Sequence, residues 1–146
     1  MNGRFALVPL AWLKAHEQYV ETRVAQLVHH FQVRGAIDYA IVADERTGTV
    51  IDGHHRLEAL RRLATTWAPA FLVDYADPRI SVHTWREGEK APAKEEVVAR
   101  AATGDLFPPK STRHDFVRQL DPVDVPLDAL RAPDAQGRAT YTPPAR

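Results

Sequence analysis

The 146-residue chain contains no cysteine, has no excess charge of either sign and lacks any long apolar run. Without cysteine, disulfides, thiolate metal sites and cysteine nucleophiles are excluded. Lysine plus arginine and aspartate plus glutamate number 19 each, so the formal net charge is zero and nucleic acid is not an expected partner. No segment approaches the roughly 20 apolar residues of a membrane span, and no signal pattern opens the sequence. We expect a cytoplasmic protein without a membrane partner.

What the sequence does contain is a regular succession of strand-like and helix-like segments. Hydrophobic residues make up 45% of the chain, enough for one globular domain with a modest core. Runs rich in β-branched and aromatic residues predict strands at residues 5–10, 39–44, 49–51, 68–75 and 80–85. Apolar residues at helical spacing predict helices at residues 20–34, 54–63 and 94–103.

This order of segments predicts an α/β (α+β) fold in which helices pack on a small mixed sheet. Pro9 lacks a backbone N–H, so the first strand is expected at an edge of the sheet. Residues 71–73 are apolar without interruption, which predicts a strand buried on both faces. Residues 1–120 are expected to form the main domain. Residues 121–146, which end in a segment poor in large apolar side chains, are expected to be a partly flexible C-terminal extension.

The sequence is organised around a strand-turn-helix at residues 47–60. Val50 and Ile51 end a strand, Gly53 permits a tight turn, and helical periodicity follows. A helix N-terminus presents unpaired backbone N–H groups at the positive end of the helix dipole, where phosphate binds well. The polar residues that crowd this point are Asp52, His54, His55 and Arg56. The spacing alone leaves two interpretations open: an anion site, or a capped turn with surface histidines.

Two further segments carry candidate functional groups. One supplies positive charge and hydroxyl donors, the groups that hold phosphate or carboxylate. Its residues are Lys110, Ser111, Thr112, Arg113 and His114. Taken alone, they also fit an exposed basic loop. The other candidate is Glu17, expected at the N-terminal end of the first long helix, where an acid also complements the helix dipole.

Three stretches together resemble the free serine kinase branch of the ParB/sulfiredoxin superfamily. The sequence Asp-Gly-His-His-Arg at residues 52–56 resembles the central box of that branch. Leu-Lys-Ala-His-Glu at 13–17 and Leu-Phe-Pro-Pro-Lys-Ser-Thr-Arg-His at 106–114 match it in the same order. The combination is more specific than any one motif. The absence of cysteine excludes the chemistry of sulfiredoxin itself.

The resemblance implies a ParB/sulfiredoxin-like catalytic domain that transfers a phosphoryl group from ATP or ADP to free L-serine, giving O-phosphoserine. Mg²⁺ would assist, with Asp52 as its candidate ligand. Glu17 would take the proton of the serine hydroxyl, and Asp52 would be a second catalytic carboxylate. The nucleotide phosphates would be held by Asp52, Gly53, His54, His55 and Arg56. Serine or its new phosphate would be held by Lys110, Ser111, Thr112, Arg113 and His114.

Two other functions stay open at this point. One is a ParB-like nucleotide-binding regulator or DNA-associated protein without kinase activity. Zero net charge, the lack of a helix-turn-helix pattern and the absence of the partition proteins' arginine-rich box count against it. The other is a metal-dependent nuclease using Asp52, His54 and His55, whose sequential spacing differs from that of a helix-borne metal site.

Ser111 departs from the pattern of the free serine kinase branch, whose members often have threonine at this position.

The kinase hypothesis makes a geometric prediction about Glu17. The segment before the first long helix follows one strand of the predicted sheet, and the central box follows another. If both open onto the same edge, the Glu17 carboxylate faces a cleft bounded by residues 53–56 and 110–114. A carboxylate on the opposite side of the sheet would contradict a catalytic role.

Overall fold

The computed structural model describes residues 3–116 and 120–132. The strands are β1 (Gly3–Pro9), β2 (Ala36–Ile37), β3 (Ile41–Asp44), β4 (Val50–Asp52), β5 (Trp67–Val73), β6 (Ser81–His83), β7 (Arg113–Asp115) and β8 (Val125–Pro126). The helices are α1 (Glu21–Arg34), α2 (His54–Arg62), α3 (Lys94–Thr103) and α4 (Leu127–Arg131), with a 3-10 turn at Leu10–Trp12. None of the helices in these ranges is long and apolar enough to span a membrane.

The centre of the fold is a four-stranded mixed sheet in the order β1-β5-β3-β4. Strand β3 runs parallel to β5, whereas the β1–β5 and β3–β4 pairs are antiparallel. The predicted α/β class with a small mixed sheet is therefore confirmed. Strand β1 lies at the edge, as its proline predicts, and β5 is buried along residues 68–73.

Side chains alternate between two hydrophobic cores on the two faces of the sheet. Along β3, Ile41 and Ala43 belong to the larger core, whereas Val42 belongs to the smaller one. This alternation follows from the two-residue period of a strand. Helices α1 and α2 cover the larger core with side chains that include Phe31 and Leu60. The smaller core receives Val97 of α3, Ile80 and Phe107.

Residues 14–18 form an extended connection between the 3-10 turn and α1. Lys14 forms a parallel bridge with Thr49, and Glu17 forms another with Phe107. The Lys14 and Gln18 N–H groups donate to the distant carbonyls of Gly48 and Phe107, pairings that local periodicity does not encode. Glu17 consequently precedes α1 instead of lying in its first turn, where the acid is Glu21. The prediction that the helix carries Glu17 at its N-terminal end was wrong.

Residues beyond the predicted boundary at position 120 contribute to the same core as the main domain. Strand β8 pairs antiparallel with β2, and α4 follows it directly. Val125, Leu127 and Leu130 are buried among the residues of the larger core. The end of the extension, at positions 133–146, lies outside the described residues, so its predicted flexibility stays a prediction.

Candidate active site

A cleft of about 410 Å³ opens between the starts of α1 and α2 and the loop at residues 109–114. Its walls bring together most of the residues that the sequence predicts for the site. Those residues are Glu17, Asp52, Gly53, His54, His55, Arg56, Lys110, Thr112, Arg113 and His114. Glu17 thus faces the predicted cleft, between the central box and the basic segment. Ser111 is missing from this lining.

The Glu17 carboxylate is held by three donors of the Lys110–Thr112 turn. Its Oε1 accepts from the Thr112 backbone N–H at 2.8 Å and from the Thr112 hydroxyl at 2.9 Å. Its Oε2 accepts from the Lys110 backbone N–H at 3.1 Å. An ionised carboxylate has about four lone-pair sites, so one site on Oε2 stays free for another donor. The side chain is both fixed in direction and able to accept one more proton donor.

The segment at residues 110–114, which taken alone also fits an exposed basic loop, is half folded into the protein. Ser111 and Thr112 are each only 8% exposed, which contradicts the alternative of a fully exposed loop. The Ser111 hydroxyl donates to the Pro108 carbonyl at 2.7 Å and so closes the turn instead of facing the cleft. Lys110 has a φ of 66°, a left-handed conformation that is uncommon outside glycine. Arg113 donates to Asp115 at 2.6 Å and lies over the Trp85 ring.

The turn between β4 and α2 depends on Gly53. Its φ of 115° is a backbone conformation that side chains disfavour, and a Cβ there would lie 3.2 Å from Ile41 Cγ1. Arg56 crosses this turn, donating to the Ala40 carbonyl at 2.7 Å and to the Asp52 carboxylate at 3.1 Å. The first backbone N–H groups of α2 have no partner within the helix. The turn therefore offers main-chain donors and one cation to the cleft.

The two histidines of the box accept hydrogen bonds from the protein backbone. His54 Nε2 accepts from the His16 N–H at 3.2 Å, and His55 Nε2 accepts from the Val20 N–H at 3.0 Å. Burial lowers the pKa of His54 well below its usual range, with His16 adding to the effect. Burial and then Arg23 lower the pKa of His55 as well. Both rings are neutral at pH 7.

A cluster of three imidazoles lies beneath the cleft. The His16 and His54 rings meet edge to face at 4.3 Å, and His114 lies 5.8 Å from His16. Burial lowers the pKa of His16 to about 3 and that of His114 to about 4. His16 Nε2 lies 2.9 Å from the hydroxyl of Thr112, and His114 Nε2 lies 2.7 Å from the hydroxyl of Tyr75. The three neutral imidazoles thus lie at the floor of the cleft. Through His16 they contact Thr112, a residue that holds the Glu17 carboxylate.

Two cleft residues with candidate functional groups, Arg23 and Trp85, were missed in the sequence. Arg23 lies in the first turn of α1, where the helix dipole disfavours a cation, and that misfit is a signal that could have identified it. Trp85 is 63% exposed, and its ring stacks with the guanidinium of Arg113 at 5.2 Å. An exposed tryptophan beside a basic segment is a second usable signal. Together they add one cation and one aromatic surface to the site.

The described residues provide no cage for a metal ion. No group of three or more histidines, aspartates or glutamates within them could hold one. His54 and His55 use Nε2 to accept from backbone amides, so these lone pairs are engaged, which removes support for the metal-dependent nuclease. Asp52 has a side chain that is 56% exposed at the rim of the cleft. One carboxylate fits Mg²⁺ that arrives on nucleotide phosphates, because such an ion keeps several waters and takes few protein ligands.

Comparisons with known sequences point to serine kinases. No protein-family model matches the chain. The chain is similar to the ATP-dependent L-serine kinase of Staphylothermus marinus, with 31% identity over 83 residues that cover 54% of this chain and 33% of the relative. It is also similar to the ADP-dependent L-serine kinase SerK of Thermococcus kodakarensis, with 28% identity over 97 residues that cover 64% and 40%. The chain spans less than half the length of these curated relatives.

Comparisons with solved structures agree on the fold. A free serine kinase in complex with AMP has a TM-score of 0.80 and 19% identity, covering 86% of this chain and 93% of that chain. SbnI from Staphylococcus aureus, solved with a C-terminal truncation, has a TM-score of 0.76 and 15% identity, covering 89% and 90%. The resemblance carried by the three motifs is confirmed, and the chain has the fold of the free serine kinases.

Proposed function

We propose that this protein transfers the terminal phosphoryl group of ATP or ADP to the hydroxyl of free L-serine. The serine oxygen forms a bond to phosphorus while the bond from phosphorus to the bridging oxygen breaks, and the nucleotide leaves one phosphate shorter. The serine proton passes to a carboxylate. One observation carries the proposal: Glu17 is fixed at the wall of a cleft whose other walls supply helix N–H donors and cations.

Glu17 has the properties of the proton acceptor in this reaction. A serine hydroxyl does not ionise near neutral pH, so its proton leaves as the bond to phosphorus forms. The free lone-pair site on Glu17 Oε2 accepts that hydroxyl, while the three donors of the Lys110–Thr112 turn keep the carboxylate pointing at it. The orientation is set before the substrate arrives. Such preorganisation lowers the entropic cost of reaching the reactive geometry.

The start of α2 is the phosphate-binding side of the cleft. Backbone N–H groups after Gly53 meet the phosphate oxygens at the positive end of the helix. Arg23 and Arg56 add charge there, and both line the cleft. Phosphoryl transfer requires the protein mainly to position oxygens and neutralise charge. Mg²⁺ bound to the nucleotide phosphates would supply further charge neutralisation, with Asp52 contributing one carboxylate oxygen.

The opposite wall is the serine-binding side. The Lys110 ammonium group makes no hydrogen bond or ion pair with any other described residue, although the Lys110 backbone is fixed at both its N–H and its carbonyl. Because its backbone is fixed and its ammonium group is available, Lys110 suits binding of the carboxylate of a small amino acid. Arg113 is held beside it by Asp115 and the Trp85 ring. Thr112 acts through Glu17, and His114 forms part of the floor.

The test is formation of O-phosphoserine from L-serine, Mg²⁺ and either nucleotide, measured for the parent and for Glu17→Gln. The amide cannot take the proton, so turnover is expected to fall by on the order of a hundredfold or more. Glutamine also turns an NH₂ group toward one of the three donors. Thermal unfolding and nucleotide affinity are therefore measured on the same variant, and nucleotide affinity is expected to stay unchanged.

The matched control is Glu21→Gln, which changes a neighbouring acid of α1 that is paired with Arg62 outside the cleft. This variant is expected to keep the turnover of the parent. Full turnover in Glu17→Gln would contradict the role of Glu17. Absence of phosphoserine with both nucleotides would contradict the kinase, and nucleotide binding without turnover would then favour the regulator.

A further inference from the structure

His54 and His55, the two histidines of the Asp-Gly-His-His-Arg box, use their imidazole Nε2 atoms to accept hydrogen bonds from the protein backbone. We propose that His54 and His55 are positioning residues that clamp the Glu17 segment to the start of α2 through Nε2, which is therefore not available to a phosphate. The inference rests on the proposed function, since it concerns how the same site keeps its proton acceptor in place.

The clamp consists of two hydrogen bonds, one on each side of Glu17 in the sequence. The His16 N–H, one residue before Glu17, donates to His54 Nε2 at 3.2 Å. The Val20 N–H, three residues after it, donates to His55 Nε2 at 3.0 Å. Between these two points the Gln18 N–H donates to the carbonyl of Phe107 at 2.8 Å. The backbone around Glu17 is thus fixed from two directions, by α2 and by the loop before the basic segment.

The direction of these bonds determines where each ring carries its proton. A backbone N–H can only donate, so each Nε2 presents a lone pair. A neutral imidazole then has its single proton on Nδ1. In this tautomer neither Nε2 can donate to a phosphate oxygen. The nitrogen at the far end of each ring is committed to the protein backbone.

The clamp also reaches the first turn of α1. The carbonyl of Val20 accepts from the N–H groups of Arg23 and Val24, so the residue that His55 holds is the one that opens the helix. Val20, the N-cap residue of α1, makes no side-chain capping hydrogen bond. His55 therefore fixes the residue at which the first turn of α1 begins, and this turn carries Arg23. It also fixes the end of the segment that carries Glu17. One ring sets the spacing between the proton acceptor and a phosphate-binding cation.

The test uses two replacements that each preserve one end of the imidazole. In His55→Gln, the side-chain oxygen takes the place of Nε2 and can accept from Val20. In His55→Asn, the side chain reaches only as far as Nδ1 and offers a donor there. We expect kcat for phosphoserine formation to stay near that of the parent in His55→Gln and to fall by up to about a hundredfold in His55→Asn. Nucleotide affinity, measured by calorimetry, is expected to stay constant in both.

The reverse pattern would overturn the proposal. If His55→Asn keeps both turnover and nucleotide affinity while His55→Gln loses them, the ring binds phosphate through Nδ1. His29→Gln on the exposed side of α1 is the control and is expected to match the parent. The same pair of replacements at His54 tests the other half of the clamp.

A second measurement does not depend on catalysis. Long-range proton–nitrogen NMR spectra of the imidazoles report the tautomer of each ring in the parent protein. We expect the Nδ1–H form for His54 and His55, together with slow hydrogen exchange of the Val20 amide. An Nε2–H form in either ring would overturn the clamp. A parent that shows both Nδ1–H rings but makes no phosphoserine would refute the proposed function and leave the clamp standing.

Discussion

The β4–α2 turn and the Lys110–Thr112 turn face each other across the cleft. They differ in the groups that are available to a ligand, which are main-chain groups in the first turn and a side chain in the second. In the β4–α2 turn the side chains of His54, His55 and Arg56 already bond to the protein, and the free groups are backbone N–H donors. In the Lys110–Thr112 turn the Lys110 and Thr112 N–H groups bond to Glu17, and the Lys110 side chain has no bond to another described residue. In the proposed function, two turns of similar polar composition would therefore bind through the main chain in one case and through a side chain in the other.

The largest expected effect concerns acid stability, because the neutral imidazoles lie between the two turns. His16 and His114 have pKa values of about 3 and about 4 when folded, below the 6.5 of an ordinary histidine. The unfolded chain binds these protons first as pH falls, so stability is full above pH 6.5 and decreases from there toward pH 4. Each histidine contributes up to about 1.4 kcal/mol per pH unit in that window.

Urea unfolding between pH 7.5 and 5 measures this slope before most carboxylates titrate. His114 also faces Tyr75, Lys94, His83 and Asp115, so His114→Gln is compared with the parent across the same range. The variant is expected to lose up to about a third of the slope, because His16 and His54 keep their contributions. His29→Gln on the exposed side of α1 is expected to keep the whole slope. A free energy of unfolding that stays constant from pH 7 to 5 would contradict the neutral cluster.

The next effect tests the main-chain site through Gly53→Ala. A Cβ at a φ of 115° and 3.2 Å from Ile41 strains the turn, so unfolding is expected to become easier by about 1–3 kcal/mol. Nucleotide affinity is expected to fall with it. Gly88→Ala is the matched control, since Gly88 also has a positive φ but has no atom within 4 Å of the added Cβ. Equal losses of nucleotide affinity in the two variants would contradict a specific role for the Gly53 turn.

The side-chain site is tested by comparing Lys110→Ala with Lys110→Gly. Both remove the ammonium group, and the KM for serine is expected to rise about tenfold, the effect of one charge-assisted hydrogen bond. Only glycine relieves the left-handed backbone, so Lys110→Gly is expected to unfold with about 1 kcal/mol more free energy than Lys110→Ala. Steady-state kinetics and denaturant titration measure the two effects. An unchanged serine KM in both variants would contradict the role of the ammonium group.

The smallest expected effect separates two cations of the phosphate side. Arg23→Ala removes an exposed guanidinium and is expected to weaken nucleotide binding several-fold without changing stability. Arg56→Ala also removes the bond to the Ala40 carbonyl, so it is expected to lower both nucleotide affinity and the melting temperature. Calorimetry and thermal unfolding distinguish the two. A destabilised Arg23→Ala variant would show that this cation belongs to the fold.

Local sequence signals account for most of the fold and for the membership of the cleft. Gly35 and Gly104 end α1 and α3 in left-handed conformations, as helix-terminating glycines do. The hairpin around Gly48 and the buried strand β5 follow from turn chemistry and apolar runs. These features depend on residues within a few positions of one another, which is the range that periodicity describes.

What the sequence did not reveal depends on contacts between distant positions. The box histidines bond to backbone amides 35 and 38 residues away, and the Thr112 hydroxyl bonds to a carboxylate 95 residues away. No local pattern distinguishes a histidine that accepts from a backbone from one that faces solvent. The burial of Ser111 and Thr112 and the extended course of residues 14–18 were missed for the same reason.

The extended segment that carries Glu17 has a consequence for the order of folding. Its bridge to Phe107 and its bonds to Lys110 and Thr112 close loops of about ninety residues, whereas all four strands of the central sheet end by Val73. Long loops close at a higher entropic cost, and their contacts form after shorter-range ones. A nascent chain released only as far as residue 100 would contain the whole sheet and both box histidines, yet it would lack the Lys110 and Thr112 donors that hold the Glu17 carboxylate.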